Sequence, residues 1–426
     1  MRELYTVVDI GTQEVRVLIG QPEVGGKVSI LGLGIQPAQG IDERGVANVE
    51  RLVECLQKAL RQASQQSNVA VQRVWVSLNH MDLHMEWTQA IITFPQADHE
   101  ISWADLERLR QQAIQRPAPP EMELIHAIPQ AYRLDHRRNL RDPIGMTGMR
   151  LEGDFCLLYA PKPHLAMLRK CFQRLGLEVE GFVAKALMEA EVYLTPEQKS
   201  SGVALLHLGA HATTIILYAD GILKHFAVLP LGGHLITTDL REALRVILIP
   251  QAERLKREQG VALAAKVAEN DILRLRIPGY AEPINVKRRF LAEVIEARLQ
   301  EILLFVAREI EKAGLLRRLY GGVHLAGGGA LLAEIEAVVE YVLGERAMKV
   351  DVAPILGRGL TESVQNPRLA GAVATLYAVP KLHEFMPPLP TTNAPEKKPP
   401  IERGRFFQKI RTFIETNFKI PQDLIN

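Results

Sequence analysis

Two stretches of the chain, LYTVVDIGTQEVRVLIG at residues 4–20 and VALLHLGAHATTIILYADG at 203–221, carry one pattern: two β-branched and leucine-rich runs joined by a glycine turn. Laying Asp9-Ile10-Gly11 on His207-Leu208-Gly209 sets Val7-Val8 over Leu205-Leu206 and Val17-Leu18 over Ile215-Ile216. Any two buried hairpins look somewhat alike, so the pattern by itself does not separate duplication from coincidence. A duplicated α/β core places its two glycine turns face to face across a cleft. Such a cleft suits phosphate, because glycine lets backbone N–H groups come close to an anion and point at it.

What lies between the two hairpins fits a layered α/β reading. Leu52, Val53, Leu56, Ala59, Leu60 and Ala63 recur at helical spacing, and Val74–Leu78 reads as a short buried strand. From about residue 79 the texture changes to an inserted α+β module. It has an alternating strand in HMEWTQAIITF and a polar helix from Trp103 to Gln115 closed by Pro117, Pro119 and Pro120. The module reads as ending near Gly153, with a strand resuming from Phe155 to Tyr159. Further on, Ala252–Lys256 opens a charged helical region, and Leu291–Ala313 reads as a long amphipathic helix. The strand GVHLAG then runs into Gly327-Gly328-Gly329-Ala330 and a helix from Leu332, a plausible nucleotide-binding element.

The charge balance excludes some functions. With 51 Lys and Arg against 49 Asp and Glu, the net charge of +2 lacks the basic field of a nucleic-acid binder. Cys55, Cys156 and Cys171 suit neither a zinc ribbon nor a redox pair and read as buried thiols in a reducing compartment. Asp9 interrupts the first apolar run, which argues against a signal peptide, and no run reaches the ~18 apolar residues of a membrane span. These features point to a cytoplasmic, soluble body.

The tail reads differently. Pro387, Pro388, Pro390, Pro395, Pro399 and Pro400 mark an extended linker. Beyond it Phe406, Phe407, Ile410, Phe413, Ile414 and Phe418 fall on one helical stripe flanked by Arg405, Lys409, Arg411 and Lys419. An apolar face beside basic residues is what an interfacial helix needs on an anionic bilayer. The alternative is a C-terminal helix docked on its own domain.

These pieces together resemble the FtsA family of actin-like cell-division proteins. The most specific stretch is His126-Ala127-Ile128-Pro129-Gln130-Ala131-Tyr132-Arg133-Leu134-Asp135, followed by Asp142–Leu151; further matches are Leu229–Gly233, Thr237-Thr238-Asp239, Ala252–Lys256, Leu325–Ala330 and Asn366-Pro367-Arg368. The resemblance implies an actin-like fold of two α/β halves around a nucleotide cleft, with an FtsA-type inserted subdomain and a C-terminal amphipathic helix. Its implied boundaries are 1–78, 161–196 and 358–382 for subdomain 1A, and 79–160 for the insert, 1C. Residues 197–236 and 305–357 form 2A, 237–304 form 2B, 383–400 the linker and 401–420 the membrane helix.

The resemblance also implies ATP with Mg²⁺ as ligand. The partners it implies are further copies in a filament, the C-terminal peptide of the tubulin-like FtsZ, the anionic inner membrane, and other divisome proteins through 1C. Carried over by residue, the nucleotide candidates are Asp9, Gly11, Thr12 and Gly209 at the phosphates, Glu253 and Lys256 near ribose and base, and Gly327, Gly328 and Gly329 at the adenosine side. Lys287, Arg288, Arg289 and Arg298 are candidates to meet an acidic FtsZ peptide. No catalytic residue and no protein-bound metal is implied.

The chain departs from the family at the phosphates. Where the family's second loop reads Asp-Ile-Gly-Gly-Gly-Thr with a later Asp, this sequence has His207-Leu208-Gly209-Ala210-His211-Ala212 and then Thr214; the first loop's Lys is Glu14. Hydrolysis is therefore in doubt, and the activity is at most a weak ATPase. If the loops face each other, Glu14 and His207 meet as an ion pair in part of the space of Mg²⁺ and phosphate; the alternative is that both positions drifted once hydrolysis stopped mattering. Two other functions share the fold: a phosphotransferring enzyme, which needs an intact second loop, and a pilus-assembly adaptor, disfavoured by the Ile128-Pro129-Gln130 segment and the basic tail.

Overall fold

The computed structural model describes residues 3–384 apart from 24, 97, 246 and 277–281. The proline-rich linker and the amphipathic tail at 401–420 lie outside the described residues. Among those described, no helix is long and apolar enough to cross a membrane.

Two sheets carry the molecule, and they share a strand order. In the first, Lys27–Pro37, Glu14–Glu23 and Tyr5–Ile10 form an antiparallel meander that continues into the parallel strands Arg73–Leu78 and Glu178–Ala184. In the second, Ile222–Leu229, Thr213–Ala219 and Val203–Leu208 form the meander, and Val323–Ala326 and Ala347–Lys349 extend it in parallel. A short strand, Leu356–Gly359, joins the first sheet beyond Lys27–Pro37. The two turns match atom for atom: Gly11 donates its N–H to the Glu14 carbonyl at 3.0 Å, and Gly209 to that of Ala212 at 3.0 Å. The repeated hairpin is thus one end of a repeated five-strand unit, the duplicated core of the actin-like fold.

These strands are apolar on both faces because helices cover both faces. Val203–Leu208 is buried throughout. On the first sheet the helix Val49–Ser67, capped by the Asn48 side chain, buries Leu52, Leu56, Ala59 and Ala63. It lies so close that a Cβ on Gly34 would sit 1.9 Å from the Ala59 carbonyl oxygen. The opposite side is closed by Ala370–Ala378, whose small residues let it pack tightly. Cys55, Cys156 and Cys171 are buried free thiols, as their spacing suggested.

The inserted module is a four-stranded sheet in the order His84–Thr93, Arg150–Pro161, Met122–Leu134, Arg137–Leu140, with the helix Trp103–Ile114 on one face. One sequence expectation is corrected here. The module does not end near Gly153 with a new strand after it; Arg150–Pro161 is one strand paired throughout with His84–Thr93. Gly153 is a packing site, not a boundary, for a Cβ there would sit 2.8 Å from both Leu109 Cδ2 and the Phe155 ring.

The signature segment in this sheet has physical roles residue by residue. Pro129 sits where the register against Arg150–Pro161 slips, a place where an interior strand tolerates a missing N–H. The Gln130 side-chain Oε1 accepts the Leu223 N–H from the second half at 2.8 Å, and Arg133 forks onto Asp154 at 2.9 and 3.0 Å. Asp135 accepts the N–H groups of Met149 and Arg150. His126 accepts the Ala184 N–H through Nε2 at 3.0 Å, joining the insert to the first half.

His126 is fully buried, and burial drives its pKa down to about 3 from the usual 6.5. The folded protein keeps it neutral while the unfolded chain protonates near 6.5. Its contribution is thus complete above that pH and is lost as pH falls from 6.5 toward about 3, at up to ~1.4 kcal/mol per unit. Urea unfolding between pH 7 and ~4.5 should show this slope, and His126→Gln, which keeps an acceptor but no titration, should flatten it. An unchanged slope in the variant would assign the acid sensitivity elsewhere.

Candidate nucleotide cleft

The two glycine turns do face each other. Thr12 Oγ1 and His211 Nδ1 share a hydrogen bond at 2.8 Å across the gap, and Asn79 Nδ2 donates to Thr214 Oγ1 at 2.7 Å beside it. A third glycine stretch closes the end. Gly327 has φ +84°, donates to the Pro367 carbonyl at 3.0 Å, and lies so near that a Cβ would come 2.6 Å from the Leu208 carbonyl oxygen. Only glycine fits both demands.

The expected helix from Leu332 is corrected. Gly328–Leu331 is a 3₁₀ turn, and the helix begins at Ile335 after Glu334, which has φ +59°. The glycines therefore meet the cleft through a tight turn, not through a helix N-terminus.

Together these loops surround a cavity of about 360 Å³. Of the nine nucleotide candidates, Gly11, Thr12, Gly209, Glu253, Lys256, Gly327, Gly328 and Gly329 line it. Asp9 sits behind the wall, fully buried. On the far side Lys256 Nζ donates to the Gly233 carbonyl and Thr237 Oγ1, each at 2.8 Å, and to Glu253 at 2.7 Å. Burial works against the Glu253 carboxylate, but the Lys256 ammonium outweighs it and holds the group below the usual range. The pair is an anchored cleft wall, not an exposed helix pair.

The end of the cleft at the two hairpin turns is ordered by ion pairs. Arg16 Nη1 meets Asp9 at 2.8 Å, and Lys185, first residue of the helix Lys185–Tyr193, contacts the other Asp9 oxygen. Burial alone would raise the Asp9 pKa; Lys185 and then Arg16 overcome it and keep the carboxyl below its ordinary value. Glu14 lies 3.1 Å from Arg16, 3.0 Å from Arg368 and 3.8 Å from Arg257. His207 Nδ1 reaches Glu189 at 2.8 Å.

The expected Glu14–His207 pair is therefore corrected. Glu14 shares a strand face with Arg16 two residues on, and His207 turns toward the helix that carries Glu189. Arg16, Lys185, Glu189 and Arg368 order this end of the cleft and were not among the site candidates from sequence, Arg368 being quoted only within the Asn366-Pro367-Arg368 match. A signal existed: Lys185 and Glu189 sit four apart inside the apolar run Phe182–Ala190, where charges stay only with partners.

A family model described as the cell division protein FtsA matches residues 204–374, and one described as the SHS2 domain inserted in FtsA matches residues 82–159. The chain belongs to the FtsA family. The cell division protein FtsA of Neisseria meningitidis is 29% identical over 419 residues, covering 97% of this chain and 98% of the relative. That of Escherichia coli is 27% identical over 424 residues, covering 98% and 99%. Among solved structures, the PilM–PilN type IV pilus biogenesis complex aligns with TM-score 0.63 and 16% identity over 89% of this chain and 98% of the other. MreB 5 of Spiroplasma citri bound to AMPPNP aligns with TM-score 0.51 and 12% identity over 90% and 99%. Both show the actin-like fold.

The cleft of this FtsA-family chain fits the parts of the implied Mg²⁺·ATP unequally. Its glycine loops and cationic side chains suit a polyphosphate. The metal fits poorly: a nucleotide-bound Mg²⁺ needs a free carboxylate beside the phosphates, and Asp9, the acid behind this wall, already carries Arg16 and Lys185.

The FtsZ candidates occupy the strand Ile284–Lys287 and the helix Arg288–Lys312. They are not a free basic patch. Arg288 pairs with Asp271, Arg289 with Glu269 and Glu293, and Arg298 with Asp239 and Glu301; Lys287 alone of the four has no ion pair among the described residues. Next to Lys287 stand two exposed apolar side chains, its cross-strand partner Ile272 and Phe290.

Proposed function

We propose that this chain is a cell-division adaptor that polymerises and tethers FtsZ filaments to the cytoplasmic face of the cell membrane at the septum, where it recruits later division proteins. The observation that carries this reading is the match to the SHS2 domain inserted in FtsA at 82–159 within an actin-like chain that covers 98% of the Neisseria meningitidis relative. The tail supports it through its Phe-rich stripe with basic flanks beyond a proline linker. Nucleotide in the cleft serves as a regulator of assembly, with weak hydrolysis at most.

The FtsZ peptide docks in this reading on the region from 237 to 304. Because the arginines there are already paired, Lys287 supplies the attraction for an acidic peptide, and Ile272 and Phe290 supply the apolar contact. Fluorescence anisotropy with the FtsZ C-terminal peptide should give saturable binding with modest salt dependence. Lys287→Glu with Phe290→Ala should weaken it by about tenfold or more. A folded, polymerising protein that ignores the peptide at low salt would contradict this partner.

A further inference from the structure

We propose that the cleft takes a nucleoside polyphosphate as the metal-free anion, with Arg16, Lys185, Arg257 and Arg368 meeting its charge in place of Mg²⁺. The inference rests on reading the cavity as a nucleotide site and deepens that reading. Among the described residues, the ion-paired cluster at this end of the cleft sets those four cations against two acids, Asp9 and Glu14, while the next acid, Glu189, is engaged by His207. Lys185 and Arg368 are wall residues of the cavity, and the Arg368 Nε–H is buried without a hydrogen-bond partner. A buried donor of this kind is costly unless a ligand satisfies it.

Electrostatics then sets the sign of the metal effect. A divalent ion beside Asp9 would have to displace Lys185 or Arg16 and sit against the remaining cations, whereas a bare polyphosphate is attracted to all of them. Chelating Mg²⁺ gives the nucleotide two more negative charges, which this cleft favours. On the second loop, His207 is held by Glu189 and offers no carboxylate for metal-bound water.

Isothermal titration calorimetry of the full chain with ATP, once in excess Mg²⁺ and once in EDTA, tests this. Affinity in EDTA is expected to equal or exceed that in Mg²⁺. Arg368→Gln, a change in the cavity wall outside the Asp9 contacts, should weaken EDTA binding by about tenfold. Lys185→Gln, provided its circular dichroism matches wild type, should do the same and shift the preference toward Mg²⁺. Binding weaker by about threefold or more in EDTA than in Mg²⁺ would overturn the proposal while leaving a nucleotide site in place. An Arg368→Gln affinity equal to wild type would also overturn it. Absence of binding in both buffers would overturn it together with the nucleotide part of the functional reading.

Discussion

Replacing Asp9 by alanine is expected to lower folding stability by about 3–5 kcal/mol, a large share of the total for a protein of ordinary stability. Asp9 has 1% of its side chain exposed, and its partners Lys185 and Arg16 have 5% and 11%. Its removal leaves Lys185 buried without its ion-pair partner and Arg16 with Glu14 alone, which is far costlier than losing one surface bridge. Lys185→Met alone should cost less, since Asp9 keeps Arg16. Combining Asp9→Ala with Lys185→Met should recover a good part of the loss, because the orphaned ammonium is gone. The coupling follows from urea midpoints of the four proteins. Because the folded carboxyl titrates below its ordinary 3.8, the Asp9 contribution is present above that pH and is lost as pH falls below it. A loss under ~1 kcal/mol at neutral pH would mean that water reaches the cluster.

The second large effect concerns the tail. Burying Phe406, Phe407, Phe413 and Phe418 in a bilayer interface contributes several kcal/mol at ~25 cal/mol per Å² of apolar area. In the proposed filament, many subunits would multiply that attachment. Phe407→Glu with Phe413→Glu should reduce sedimentation with anionic liposomes by about tenfold or more, without changing the stability of the body. Equal pelleting of wild type and variant would refute the helix as the anchor.

The duplication was legible because strand periodicity is local: six or seven alternating or apolar residues around Gly11 and Gly209 specify each hairpin, and burial on both faces makes the runs continuous. The tight loop at Gly327 was legible as glycine but not as geometry. The backbone turn ahead of the next helix is taken by Glu334, a residue with no turn signature, so the helix starts three residues later than the pattern suggests. Gly153 misled for the opposite reason, since a glycine needed for close packing inside a strand looks like a break. The charged lattice was the least legible. Asp9 meets Lys185 and Glu14 meets Arg368 from opposite parts of the chain, and sequence spacing carries no record of such contacts. The same blindness made Arg288, Arg289 and Arg298 look like a free patch, when their acids arrive from Asp271, Glu269 and Asp239.

Co-sedimentation of FtsZ with anionic liposomes, with and without this protein, tests the adaptor most directly. FtsZ filaments are expected in the pellet only when the full chain is present, and in the supernatant when residues 401–426 are removed or when Lys287→Glu is combined with Phe290→Ala. FtsZ that stays in the supernatant beside liposome-bound protein would contradict the tether.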